Sequence, residues 1–164
     1  MNISASAKKN DAGYKAIIDA VAFLKKHEVF IGIPENTADR KDEKGTPVNN
    51  AELLFIHTNG SPIKGIPPRP ILEPAIKQNQ DRIADSMKKA IDAAVSGNKG
   101  AILPALETAG IDGQNIARGF FTSSANGFAP NHPETIKRKC SDRPLIDTDE
   151  MRKSITYVVR EVGK

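Results

Sequence analysis

Between positions 67 and 74 four of the eight residues are proline: Pro67, Pro68, Pro70 and Pro74. Proline lacks the backbone N–H that a helix turn or a strand ladder uses, and it pushes the residue before it out of the helical region. No helix or central strand can run through Ile66-Pro67-Pro68-Arg69-Pro70. The chain is therefore cut into two stretches that must build their elements separately. Pro74 suits the first turn of a following helix, where its missing donor costs nothing.

Before the cut, Tyr14, Ile17, Ile18, Val21, Phe23 and Leu24 recur at helical spacing and predict a helix over about 11–27, with Asp11 as cap and Lys25, Lys26 and His27 in its last turn. A β-branched run at 29–33, stopped by Pro34, reads as a strand. Residues 35–48 carry Arg40, Lys41, Asp42, Glu43 and Lys44 without periodicity, as a surface loop or the tip of a hairpin near Gly45 does. Asn49 and Asn50 precede Ala51, Leu53, Leu54 and Ile56, a short helix that Gly60 ends as a left-handed stop. After the cut, the longest helix is expected over about 74–96. Its stripe is Ile76, Ile83, Met87, Ile91 and Ala94, and Gly97 closes it. Two helical pieces, 104–108 and 114–121, are divided by Gly110 and Gly113. Residues 122–133 are a loop by composition, and 135–139 make one helical turn. Asp147-Thr148-Asp149-Glu150 has the form of a capping box and should open a last turn through Met151. Residues 155–159 read as a strand that includes Tyr157.

This order, without βαβ alternation, predicts an α+β fold: a small antiparallel or mixed sheet packed against a long helix and several shorter helices. The length of 164 residues suits a single domain. Residues 1–10 read as a candidate disordered tail, and 35–48 and 61–73 as extended assembly loops.

Several chemistries find no footing. Lys and Arg number 24 against 20 Asp and Glu, a formal charge of +4 that permits an acidic partner without implying nucleic acid. No apolar run approaches the roughly 20 residues of a membrane span, and the first residues lack the apolar core of a secretory signal. A cytosolic chain with no membrane partner is expected. The single Cys140 leaves no intramolecular disulfide and no multi-cysteine zinc site. His27, His57 and His132 lie outside any nucleophile motif, and His57 reads as a packed or cap residue. Asp39, Asp42 and Glu43 lack the spacing of a calcium loop, and Ser96-Gly97-Asn98-Lys99-Gly100 lacks that of a phosphate loop. Lys137-Arg138-Lys139 stands alone, a solvated or protein-facing patch, and the prolines read as a stiff connector before a polyproline ligand. No enzyme and no cofactor is expected.

Three separated segments carry a resemblance. The stretch from Ala51-Glu52-Leu53 through Asn59-Gly60 to Gly65-Ile66-Pro67-Pro68-Arg69-Pro70-Ile71-Leu72-Glu73-Pro74-Ala75 is one. Ala129-Pro130 with Thr135-Ile136-Lys137-Arg138-Lys139 is the second. Arg143-Pro144-Leu145-Ile146-Asp147-Thr148, followed by Met151, Ser154, Ile155, Tyr157 and Val159, is the third. In this order they resemble the blocks of tailed-bacteriophage virion morphogenesis, neck or tail-completion proteins. Asn59 stands where that family has Phe, and Asp149 where it has Gly.

The resemblance implies a non-enzymatic virion component at the head-proximal end of a tail. It implies a homo-oligomer, a ring of six, joined to the tail tube or tail terminator and to neck or connector proteins, with DNA only passing through the lumen. Arg40, Lys41, Asp42, Glu43 and Lys44, with Ile66, Pro67, Pro68, Arg69 and Pro70, are the assembly candidates. Gly60, Leu145, Ile146, Asp147, Thr148, Met151 and Tyr157 are the structural motif. Asp147 and Glu150 are expected to cap the final turn. A small basic nucleic-acid-binding protein of phage origin is the alternative, and a toxin-like or regulatory binding module a third idea.

Overall fold

The structure, a computed structural model, describes residues 3–39 and 48–163, with side chains from Asp11 onward. The fold is α+β, with eight α-helices and one two-stranded antiparallel sheet among the described residues. The elements run α1 (Ile3–Leu24), β1 (His27–Gly32), α2 (Glu35–Ala38), α3 (Asn50–Asn59), α4 (Leu72–Gln78), α5 (Gln80–Val95), α6 (Ile102–Phe120), α7 (Pro133–Lys139), α8 (Glu150–Ser154) and β2 (Thr156–Glu161). The chain divides into two compact units, Met1–Phe30 with Gln80–Asp112 and Val158–Lys164, and Ile31–Asn79 with Gly113–Tyr157.

The first unit packs α1 against α5 through small side chains. Ala20, Ala90, Ala93 and Ala94 are buried with Ile102 and Leu106, and Val21, Phe23, Leu24, Met87 and Val159 close over them. Alanines let the two backbones approach. Gly97, at φ 73°, lies so near that a Cβ there would meet the Ala16 Cβ at 3.2 Å. Ser86 is buried by donating its hydroxyl to Asp112 Oδ2, 2.5 Å away, and Asp112 also faces Arg82.

In the second unit α3 packs on α2 and α8. Buried Asn50 donates to Ser154 Oγ at 2.9 Å, and Ser154 donates in turn to the Glu150 carbonyl at 2.8 Å. The Arg118 guanidinium donates to the carbonyls of Ile155 and Lys153, both at 2.8 Å. Leu54, Ile71, Ala75, Ile116, Phe120, Phe121, Met151 and Ile155 supply the buried apolar side chains.

Four expectations are corrected. The first helix begins at Ile3, so Asp11 lies inside it and does not cap it, and helical backbone occupies most of the candidate tail. The helix expected over 74–96 is two, broken at Asn79 (φ −121°, ψ 26°), whose side-chain amide donates to the Ala75 carbonyl at 2.9 Å. A side chain bonded to the preceding turn competes with helix continuation. Ile91 is half exposed, because the alanine face of α5 takes the core. The pieces at 104–108 and 114–121 are one helix, α6, that runs through Gly110 and Gly113. Gly113 stays helical because a Cβ there would meet Ile31 Cδ1 at 2.8 Å, so glycine permits a close approach and does not break the helix.

Candidate functional site: the proline edge and its arginine clamp

The site belongs to the second unit and starts at α3. Asn49 Oδ1 accepts from the Glu52 N–H at 2.9 Å, while Glu52 Oε2 accepts from the Asn49 N–H at 2.8 Å. This reciprocal box satisfies two donors at the helix start. At the other end Gly60 takes φ 74° with an extended ψ of 178°, not the left-handed ψ expected of a helix stop. A Cβ there would lie 2.8 Å from both Ile66 O and Pro68 N, so the returning chain crosses directly over Gly60.

Ser61 and Ile66 exchange both backbone hydrogen bonds, at 2.8 and 2.9 Å. Between them Pro62–Lys64 form a 3-10 turn closed by Gly65 in the left-handed region at φ 63°. Ile63, at the tip of that turn, is 98% exposed.

The proline run is held from two sides. The Arg69 N–H donates to the His57 carbonyl at 2.6 Å. Arg69 is only 6% exposed, and its guanidinium forks to two successive carbonyls, Nε to Ala129 and Nη2 to Pro130, each at 2.9 Å. Ile71 is fully buried, whereas Pro68 and Pro70 stay exposed. The prolines stiffen the edge, and Arg69 and Ile71 anchor it.

The clamp carries an electrostatic consequence. Arg69 has no carboxylate partner among the described residues, and burial holds its pKa below the usual guanidinium value. Half-buried His57 is pushed below its ordinary pKa by burial first, then by the Arg69 and Lys139 charges, and its Nδ1 is buried without a hydrogen-bond partner among the described residues. Burial also lowers Lys139, although Asp147 pulls the other way. Lys139 donates to the Arg143 carbonyl at 3.0 Å. The charges of Arg69 and Lys139 thus bear on His57 and favour its neutral form, and Asp147 offsets Lys139.

The other two histidines serve local structure. His27 Nδ1 lies 2.7 Å from the Phe23 carbonyl, and His132 Nδ1 accepts from the Glu134 N–H at the start of α7. Among the described residues no group of three or more His, Cys, Asp or Glu is placed to hold a metal ion.

The structure joins the first two resembling blocks through the Arg69 fork, and Asn50, the residue before the first block, bonds Ser154 of the third. Arg40, Lys41, Asp42, Glu43 and Lys44 lie outside the described residues. Met151 is buried, Tyr157 and Ile146 are half-buried, and Thr148 is exposed. Half-buried Leu145 takes the left-handed region at φ 61°.

The capping box expected at 147–150 does not form, and Asp147 is exposed. Asp149 is the N-cap residue, at φ 70° and without a cap bond, and Glu150 is the first residue of α8. In the left-handed region its side chain leaves the position from which a cap reaches the helix amides. Its carboxylate instead takes Arg152 Nε at 2.6 Å and Nη2 at 2.5 Å.

Sequence reasoning missed the grouping of His57 with Arg69 and Lys139, which no local pattern encodes. It also missed an open apolar groove of about 480 Å³ on α3, lined by Val48, Ala51, Glu52, Phe55 and Ile56. That groove had a signal. The apolar residues of α3, Ala51, Leu53, Leu54, Phe55 and Ile56, are consecutive or nearly so and point to more than one face, which one buried stripe cannot cover.

Comparison with protein-family models, curated proteins and solved structures finds no match to this chain. The family resemblance rests on the three sequence blocks alone. No helix among the described residues is long and apolar enough to cross a membrane.

Proposed function

We propose that this chain is a structural subunit of a tailed-phage particle, acting at the head-proximal end of the tail as a tail-completion or neck protein. It works through self-association into a ring, six-membered as the resemblance implies, and through contacts with the tail tube and the connector. The observation that carries this reading is the proline edge. Two blocks some 60 residues apart in sequence meet to hold one stiff, solvent-exposed segment in place, through a buried arginine whose side chain is bonded to backbone carbonyls. Rigid apolar edges lose little freedom on docking and suit repeated contacts between identical subunits.

The test is particle assembly without the chain. Unjoined heads and unfinished tails are expected by electron microscopy, and complete infectious particles would refute the proposal. The second reading, binding to a polyanion, draws on Lys137, Arg138 and Lys139 in the last turn of α7, where the Arg69 charge bears on Lys139. Binding to duplex DNA that weakens steeply as salt rises would favour it.

A further inference from the structure

We infer that the exposed Ile63 turn of one copy seats in the α3 groove of a second copy, so that the chain associates head to tail. The contact rests on the reading of this edge as an assembly surface. Ile63 is 98% exposed, yet its turn is not loose: the Ser61–Ile66 bond pair closes the base, and Arg69 is bonded to the His57 carbonyl. An isoleucine held out by a fixed backbone is a preorganised apolar anchor.

The groove offers the matching surface. Val48, Ala51, Glu52, Phe55 and Ile56 lie at positions i, i+3, i+4, i+7 and i+8, one face of the chain entering and running along α3. Phe55 remains 70% exposed on it, and the open groove of about 480 Å³ has room for the Ile63 side chain with the neighbouring Pro62 ring.

Charge selects the occupant. Lys64 follows Ile63 and is exposed, and Glu52 stands in the groove with Oε1 unpartnered among the described residues. A seated turn brings opposite charges together at the rim.

A copy cannot satisfy itself. From Glu52 to Gly60 the helix advances about 12 Å, and the bonded turn is fixed beyond that end. Knob and groove are therefore different surfaces; where a turn seats without the reciprocal exchange about a two-fold axis, each contact leaves one of each free and the association is heterologous.

Sedimentation velocity on the full chain and two variants tests this. Ile63→Asp destroys the knob and Phe55→Asp the groove, both at exposed positions that spare the fold, which circular dichroism checks. Wild type is expected to grow in mass with concentration, and each variant alone to stay monomeric. Mixed in equal amounts, the variants retain one knob and one groove, so they should form a two-chain species and nothing larger. Lys64→Glu should weaken wild-type association about two- to fivefold. A wild type that stays monomeric at every concentration overturns the inference. So does either variant associating like wild type, or a mixture that stays monomeric or grows without limit. Particles complete without the chain refute the virion reading and leave this contact standing. A failed mixture refutes the contact and leaves that reading standing.

Discussion

Replacing Arg69 by methionine removes the clamp while keeping an unbranched side chain of comparable reach, and its cost follows from the contacts. Two bonds from a charged donor, at 2.9 Å each, are lost. Such bonds are worth roughly 1.5–3 kcal/mol apiece, so the gross loss is about 3–6 kcal/mol. Two terms reduce it. Ala129 is half-buried and Pro130 exposed, so water recovers part of what their carbonyls lose. The variant also no longer buries a cation that lacks a carboxylate partner. A net destabilisation of about 2–3 kcal/mol is expected, which lowers Tm by about 4–12 °C in a chain of this size. Arg69→Lys keeps the charge, but an ammonium cannot fork in a plane to two successive carbonyls, and it should cost about 1–2 kcal/mol. Urea unfolding gives the energies. Hydrogen exchange at the Ser61 and Ile66 amides reports whether the edge loosens first. A methionine variant with the midpoint and exchange of wild type would refute the clamp, and so would a lysine variant as stable as wild type.

Gly60→Ala should cost more than about 2 kcal/mol, since φ 74° is joined to two backbone approaches at 2.8 Å. Gly65→Ala, at φ 63° with open space around it, should cost about 1 kcal/mol, and equal unfolding midpoints would deny the close crossing. His57 has its folded pKa lowered, so as pH falls below its ordinary value of 6.5 the unfolded chain takes a proton that the folded chain resists. Stability should be constant above that pH and decline below it. His57→Asn should flatten the urea midpoint between about pH 7.5 and 5.5, and an unchanged slope would rule this out. Asp149 is held below the ordinary carboxylate pKa by its hydrogen bonds to Arg152, so that stabilisation is present above pH 3.8 and is lost as pH falls through the lowered value. Asp149→Asn tolerates the left-handed backbone but loses the pair, and should cost about 1 kcal/mol in urea unfolding at neutral pH. Asp147→Ala, at an exposed site without a cap bond, should stay within about 0.5 kcal/mol, and a larger loss would restore its capping role.

Local chemistry was legible in the sequence. The α+β class, the proline cut, the asparagine cap of α3, the positive φ of Gly60 and both strands follow from what a few neighbouring residues permit. The errors arise where a residue's role depends on a distant partner. Gly113 looked like a helix break, yet its lack of a side chain admits Ile31. Asn79 sits among good helix formers, and only its bond to the Ala75 carbonyl reveals the break. The Asp-x-x-Glu pattern at 147–150 promised a cap, but Arg152 competes for Asp149 with two donors against a single amide. Asp149 also adopts φ 70°, where its carboxylate pairs with Arg152.

The site divides along the same line. Arg69 was a candidate because it sits among prolines, but its partners lie 60 and 61 residues away, and nothing near Ala129 or Pro130 marks their carbonyls as acceptors. The reverse holds for α3. Its neighbours in sequence already carried a surplus: Leu54 is buried, yet Phe55 beside it is large, aromatic and 70% exposed. A ten-residue helix with one amphipathic role needs no phenylalanine on its outer side. Together with an isoleucine displayed on a bonded turn, that surplus is what a subunit requires if part of its apolar surface is completed by another copy. In this chain the apolar residues the fold leaves uncovered are therefore as informative as those it buries.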